Sequence, residues 1–196
     1  MKTIRSKKPF PAFCAAALLT ALSGAGCIFT QASSYETRYY DLANPEAAPQ
    51  KIMMLVQVDN ATPARQRMLY RHADGRITHD EYNLWIQSPE QLLSRCWSNM
   101  LPLEGSAANK DVLQLRILLT SFEIDLKEHK VTVAIHYEFR RGDGSCRAGS
   151  LRCSEAFREE TPAAFSAAFS VCARQLGNEL LKIGTGIAAG PAPAGR

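Results

Sequence analysis

Apolar and polar residues alternate with a period of two along several segments, which is typical of strands that bury one face. Residues 51–59 form the first such segment. A longer run keeps one phase over residues 113–119 and the opposite phase over residues 122–126, which predicts a β-bulge near Thr120-Ser121. Residues 131–139 alternate strictly. The first segment would bury Ile52, Met54, Val56 and Val58. In the last segment, the residues predicted to face water are Thr132, His136, Glu138 and Arg140.

A hairpin and a helix are predicted in the middle of the chain. Asp74-Gly75 lies between apolar and aromatic positions, as in a two-residue hairpin turn, and predicts a hairpin over residues 68–86. Ser88, Pro89 and Gln91 have the spacing of an N-cap, a first helical residue and a capping box. Pro102 is predicted to end this helix. Its apolar stripe consists of Leu92, Leu93, Cys96, Trp97, Met100 and Leu101.

A second amphipathic helix is predicted to begin at Thr161-Pro162 and to end at Gly184. Residues 184–196 contain Gly, Ala and Pro and are predicted to be a disordered tail. Two amphipathic helices and several half-buried strands indicate one α+β domain over residues 39–183, with a mainly antiparallel sheet and both helices packed on it. The core positions of the second helix are Phe165, Phe169, Cys172, Leu176, Leu180 and Ile183.

Composition and charge exclude nucleic acid as a partner. The 196 residues carry a formal net charge of +4, with 46% hydrophobic residues. Four basic residues lie within the first eight, and the rest of the chain has 19 basic and 19 acidic residues. A neutral body lacks the positive surface that neutralises phosphates. The four N-terminal basic residues are Lys2, Arg5, Lys7 and Lys8.

The N-terminal basic residues belong to an export signal. Residues 10–22 are an apolar stretch of 13 residues, shorter than the roughly 20 that span a bilayer as a helix. Small residues then lead directly to Cys27, as in a bacterial lipobox, whose cysteine is acylated and becomes the mature N-terminus. Gly24 stands where lipoboxes usually have Leu, and ordinary cleavage near Ala25 is the alternative. We therefore expect a signal peptide over residues 1–26 and an acylated cysteine with a tether over 27–38.

The remaining motifs do not indicate catalysis. The sequence has no Walker loop, no Cys-x-x-Cys and no histidines at metal-ligand spacing. We therefore expect a protein that is not an enzyme and that binds no metal and no cofactor. Four further cysteines follow Cys27, and three of them fall on apolar faces, as small buried hydrophobes do. A disulfide between Cys96 and Cys172 remains an alternative if the two helices are neighbours.

The order of several short motifs resembles the ABC-type transport auxiliary lipoproteins, the PqiC-like family. The lipid-accepting cysteine is followed shortly by Tyr39-Tyr40-Asp-Leu42. A hairpin containing Leu69-Tyr70-Arg71 comes next, and Glu81-Tyr82-Asn-Leu-Trp85 then leads into the helix at Ser88-Pro89. The resemblance covers nearly the whole mature chain. It implies that Cys27 is the acylated residue. The family signature positions, for which we expect a structural role, are Tyr39, Tyr40, Leu42, Trp85 and Pro89.

The resemblance also implies a function. Members of this family face the periplasm and serve ABC transporters that carry an MCE-domain protein and move phospholipid or other hydrophobic molecules between inner and outer membranes. The expected partners are that MCE-domain protein, the permease and ATPase, and the membrane through the lipid anchor; a homo-oligomer is left open. The expected location is the periplasmic face of the outer membrane. The alternative is a stand-alone envelope lipoprotein that regulates a cell-wall or outer-membrane assembly enzyme.

Overall fold

One mixed sheet and two helices make up the described structure, a computed structural model that describes residues 35–45, 53–101 and 113–189. The described residues from Glu36 onward form one compact unit. The strands are β1 (Arg38–Tyr40), β2 (Met53–Asn60), β3 (Arg67–Arg71), β4 (Ile77–Trp85), β5 (Leu113–Asp125), β6 (Lys130–Arg140) and β7 (Cys146–Ala156). The helices are α1 (Pro89–Met100) and α2 (Pro162–Ala189).

The sheet is built around β5. The main order of strands is β1-β4-β3-β5-β6-β7, and β2 also pairs with β5. The two longest pairings, β5 with β6 and β6 with β7, are antiparallel, as is the β3–β4 hairpin. The pairings of β1 with β4, β2 with β5 and β3 with β5 are parallel. The predicted α+β class is confirmed, and parallel pairings accompany the antiparallel ones.

The bulge in β5 lies where the change of phase in the sequence predicted it. The register between β5 and β6 shifts between Leu119 and Ser121. The bulge adds one residue to β5, so odd-numbered residues before it and even-numbered residues after it point to the same, helix-facing side. Side chains on that side are therefore buried along the whole strand. The buried residues are Leu113, Leu115, Ile117, Leu119, Phe122 and Ile124.

Two strand predictions need correction. In β2 the register with β5 shifts between Leu55 and Gln57. The prediction of one uninterrupted alternation over this strand is therefore wrong. Val58 packs against the core, whereas Ile52 lies outside the described residues. In β6, Thr132 was predicted to face water but is buried. Its hydroxyl forms a 2.9 Å hydrogen bond with the Ser154 hydroxyl on β7, which satisfies the polar atom away from water.

The hairpin and the first helix follow their local signals. Gly75 adopts a left-handed φ of 82° and donates its N–H to the His72 carbonyl at 2.9 Å. Helix α1 begins at Pro89, and the Ser88 N–H donates to Gln91 Oε1 at 3.3 Å, the reciprocal bond of a capping box. The predicted terminator Pro102 lies outside the described residues.

The second helix is longer than predicted. It does not end at Gly184 but continues to Ala189, so residues 184–189 are helix rather than disordered tail. Gly184 is buried within the helix, and Ile187 adds one more apolar contact with the core. Because the helical period continues past the glycine, packing outweighs its poor intrinsic propensity. Residues 190–196 lie outside the described residues.

The two helices are neighbours and cross at a glycine. The Trp97 indole N–H on α1 donates to the Ala173 carbonyl on α2 at 2.8 Å, inside the core. A Cβ on Gly177 would lie 2.6 Å from Met100 Sδ and 3.0 Å from Trp97 Cδ1. The absence of a side chain at Gly177 therefore permits the close approach of the two helices.

Candidate functional site

Residues that the family resemblance singles out come together at β1 and the end of β4. Strand β1 lies parallel to the end of β4, with Tyr39 beside Leu84 and Tyr40 beside Trp85. The Ile86 N–H extends the pairing by donating to the Tyr40 carbonyl at 2.9 Å. Residues more than 40 positions apart in the chain are thus brought together immediately before α1 begins.

Polar contacts fix the chain just after β1 to both helices. The Asp41 carboxylate forms an ion pair with Arg95 on α1, and its Oδ1 also accepts the Leu42 N–H at 2.7 Å. On α2, the Ser166 hydroxyl donates to the Asp41 carbonyl, and the Ser170 hydroxyl accepts the Ala43 N–H at 2.9 Å. We refer to these contacts of residues 40–43 with β4, α1 and α2 as the N-terminal clamp.

The apolar part of the clamp is buried in the core. Leu42 is 3% exposed and Trp85 1% exposed. The Trp85 ring lies edge-on to Phe122 of β5 and Phe169 of α2, with centroid distances of 5.5 and 5.4 Å. Phe122 and Phe169 stack on each other at 4.1 Å. This aromatic cluster connects β4, β5 and α2 directly behind the point where β1 joins.

The signature positions differ in their exposure. Pro89 is buried at the first position of α1, and Tyr40 is partly buried against the core. Tyr39 is 62% exposed, so core packing does not account for it. Ile86 and Tyr82, on or just after β4, are exposed as well. An exposed surface of aromatic and aliphatic side chains therefore lies beside the clamp, and we call Tyr39, Tyr82 and Ile86 the edge surface.

An irregular segment of β4 supports this edge. Between the pairs Arg67–Leu84 and Leu69–His79, β3 advances two residues while β4 advances five. The Asp80 carboxylate holds the extra residues by accepting the N–H groups of Tyr82 at 2.9 Å and Asn83 at 2.8 Å. It also accepts the Tyr70 hydroxyl at 2.7 Å.

These hydrogen bonds set the charge state of Asp80. Partial burial by itself would raise the pKa of its carboxyl, but the hydrogen bonds from Tyr70, Asn83 and the Tyr82 backbone outweigh burial, and the pKa lies below the ordinary value. Burial and the hydrogen bond to Asp80 both raise the pKa of the Tyr70 hydroxyl, which therefore stays protonated and donates. Asp80 acts as a structural carboxylate in this arrangement.

The Cys96–Cys172 disulfide that the sequence left open is not formed in the described structure. Cys96, Cys146, Cys153 and Cys172 are free thiols. The thiol that lies within interaction range of Cys172 is that of Cys153 on β7. Burial raises the pKa of the Cys96 thiol to about 11, which suits an inert core residue. Cys27 lies outside the described residues.

The histidines form no metal centre in the part of the chain that the structure describes, where no cluster of three His, Cys, Asp or Glu residues could hold an ion. His136 contacts the Ser150 hydroxyl at 2.6 Å, and His129 contacts Glu160 at 3.4 Å. Within the same ranges, no helix has the length and apolarity needed to cross a bilayer.

Sequence reasoning missed Asp41, Arg95 and Asp80. Asp80 had a local signal, since an aspartate followed by polar residues and a break in alternation favours an Asx turn. The ion pair of Asp41 with Arg95 had none, because the two residues lie 54 positions apart and meet only after β1, α1 and α2 have assembled.

The fold is shared with solved structures. A Xanthomonas campestris protein of the DUF330 family superposes with a TM-score of 0.63 at 17% identity, covering 77% of this chain and 96% of that protein. An uncharacterised protein superposes with a TM-score of 0.61 at 16% identity, covering 78% of this chain and 99% of that one. No family model and no curated protein matches the sequence. At this identity the likeness establishes the fold, and the chain has the architecture of a DUF330 protein.

Proposed function

We propose that this protein is a non-enzymatic lipoprotein subunit of an MCE-type ABC transport system, anchored through Cys27 and facing the periplasm. It would assist the movement of phospholipid or other hydrophobic molecules between the inner and outer membranes. The proposal combines the export signal and lipobox-like sequence with the order of motifs in the mature chain. The shared fold with a DUF330 protein is compatible with it.

The N-terminal clamp is the observation that carries the proposal. A domain that works at the end of a lipid tether needs its first folded residues held firmly, because any force on the anchor acts there. Residues 40–43 are tied to a strand and to both helices. A chain from Cys27 to the start of β1 can span at most about 40 Å, so an anchored domain stays near the bilayer.

The edge surface supports a role in protein contact. Tyr39 and Ile86 are 62% and 48% exposed beside the clamp. Aromatic residues are enriched at protein interfaces because they supply large contact area with few rotatable bonds. A docking subunit acts through such contacts, and this account assigns no catalytic residue to it.

Co-purification from the envelope distinguishes this function from the alternative. The tagged full chain would be cross-linked in cells, solubilised in detergent and purified, with Cys27→Ser as the matched control. The proposal predicts an MCE-domain protein and a permease in the wild-type sample, reduced in the control. Recovery of a cell-wall or outer-membrane assembly enzyme instead would favour a stand-alone regulatory lipoprotein.

Sorting provides a separate test. Ile28 follows the cysteine, whereas Asp at that position is associated with retention in the inner membrane of many Gram-negative bacteria. We therefore expect the protein in the outer membrane, with its domain facing inward. Density fractionation that placed the wild type with inner-membrane markers would contradict this expectation.

A further inference from the structure

A pair of cysteines joins the edge strand β7 to helix α2. Cys153 lies on the helix-facing side of β7 and is 8% exposed, and Cys172 is fully buried on α2. The two thiols lie within interaction range of each other. Cys153 Sγ also donates to Gln175 Oε1 at 3.0 Å, and Gln175 lies one helical turn after Cys172. Both cysteines therefore lie at one contact between the two layers.

We propose that Cys153 and Cys172 form a disulfide when the protein meets a disulfide-bearing oxidant, and that this bond locks α2 onto β7. The other two cysteines of the domain lie at other places in the fold. Cys146 is exposed at the start of β7, seven residues away along the strand. Cys96 is buried on α1. The inference concerns the chemistry of the folded domain and does not depend on acylation of Cys27.

The reaction is a thiol–disulfide exchange. The Cys153 thiolate attacks one sulfur of the oxidant, and the first oxidant thiol leaves and takes up a proton. The Cys172 thiolate then attacks the Cys153 sulfur of the mixed disulfide, and the second oxidant thiol leaves. Two protons and two electrons pass from the protein to the oxidant, and one S–S bond forms in the protein as the oxidant's bond is reduced.

Access and burial give the two cysteines different roles. A groove of about 550 Å³ beside β7 and α2 is lined by Cys153 together with Gln175, Asn178 and Lys182. An oxidant can thus reach Cys153, whereas Cys172 is fully buried. Burial raises the pKa of both thiols and so lowers their thiolate fraction, which disfavours exchange in the folded protein. Because Cys172 is fully buried, a bond formed during folding is shielded from reductants.

The test uses the full chain purified in detergent. The protein would be unfolded and reduced, refolded in a buffer of reduced and oxidised glutathione, alkylated, and mapped by peptide mass spectrometry. We expect a Cys153–Cys172 cross-linked peptide as the main product, including in the Cys96→Ala variant. A main product that joins Cys96 to Cys172, or full alkylation of Cys153 and Cys172 after reoxidation, would overturn the proposal.

Thermal unfolding with and without dithiothreitol adds a second readout. The reductant should lower the Tm of the oxidised wild type and of Cys96→Ala, because the unfolded chain regains the freedom that the loop removed. It should leave the Tm of Cys153→Ala unchanged, whatever the starting stability of that variant. An equal effect of the reductant on Cys153→Ala and on the wild type would contradict the proposal.

Discussion

Asp41, the residue that follows β1, forms an ion pair with Arg95 on α1, and its backbone carbonyl accepts the Ser166 hydroxyl from α2. One residue thus connects the entering chain to both helices. The Asp41 and Arg95 side chains are 44% and 34% exposed, and pairs with this exposure contribute little to global stability. The clamp therefore acts mainly on the local order of the N-terminal segment.

The first prediction concerns that local order. Asp41→Ala should lower the free energy of unfolding by about 1 kcal/mol or less, because the ion pair is partly exposed. It should nevertheless accelerate proteolytic cleavage of residues 36–43, since the segment loses its contact with Arg95. Limited proteolysis followed by mass spectrometry measures the effect, with Asp74→Ala in the hairpin turn as control. Equal cleavage rates in the two variants would contradict a local role for the clamp.

The second prediction concerns the aromatic cluster behind the clamp. Trp85→Ala should destabilise the fold by about 3–5 kcal/mol, through lost burial and a cavity beside Phe122 and Phe169. His136→Ala, at an exposed position on β6, should change stability by no more than about 0.5 kcal/mol. Chemical denaturation of both variants tests this, and a Trp85→Ala cost near that of the His136 control would show that the cluster is not a core element.

Two glycines of α2 give a matched pair for the third prediction. Gly177→Ala places a Cβ against Met100 and Trp97, and this overpacking should cost about 1–3 kcal/mol of stability. The better helix propensity of Ala offsets part of that cost, and the net effect should be destabilising. At Gly186 nothing lies within 4 Å of a Cβ, so Gly186→Ala should stabilise the helix by up to about 1 kcal/mol. Thermal unfolding compares the two. A stabilising Gly177→Ala would contradict the close helix crossing, and a destabilising Gly186→Ala would contradict a helix that extends to Ala189.

The fourth prediction concerns acid. The folded-state pKa of Asp80 lies below its ordinary value, so its contribution to stability is present above the unfolded pKa of about 3.9 and is lost as the pH falls through the folded pKa. The free energy of unfolding of the wild type should therefore fall more steeply below about pH 4 than that of Asp80→Asn. Denaturation curves over a pH series measure both slopes. Parallel slopes would mean that the Asp80 carboxylate is not held by Tyr70 and the β4 backbone.

Local structure was predictable where the signal lies within a few residues. The Asp74-Gly75 turn, the cap at Ser88 and the β5 bulge each depend on neighbours in sequence, and the structure shows all three. The hydrophobic period also identified the helix-facing side of β5. These features need no knowledge of tertiary contacts.

Long-range relationships were not predictable. The parallel pairings of β1 with β4 and β2 with β5 depend on topology rather than on period. Glycine often ends helices, yet α2 continues past Gly184 because the helix still packs against the core there. Thr132 has a polar side chain and is buried because Ser154 lies opposite it. In each case a residue distant in sequence decides the outcome.

The central claim is that this domain is held at the end of a lipid anchor on Cys27. The most direct measurement is metabolic labelling with radioactive palmitate, followed by the intact mass of the mature protein from membranes. The account predicts label in the wild type and in the control Cys146→Ser, none in Cys27→Ser, and a mature chain that begins at an acylated Cys27. Equal labelling of Cys27→Ser and the wild type, or a mature N-terminus at another residue, would contradict the account.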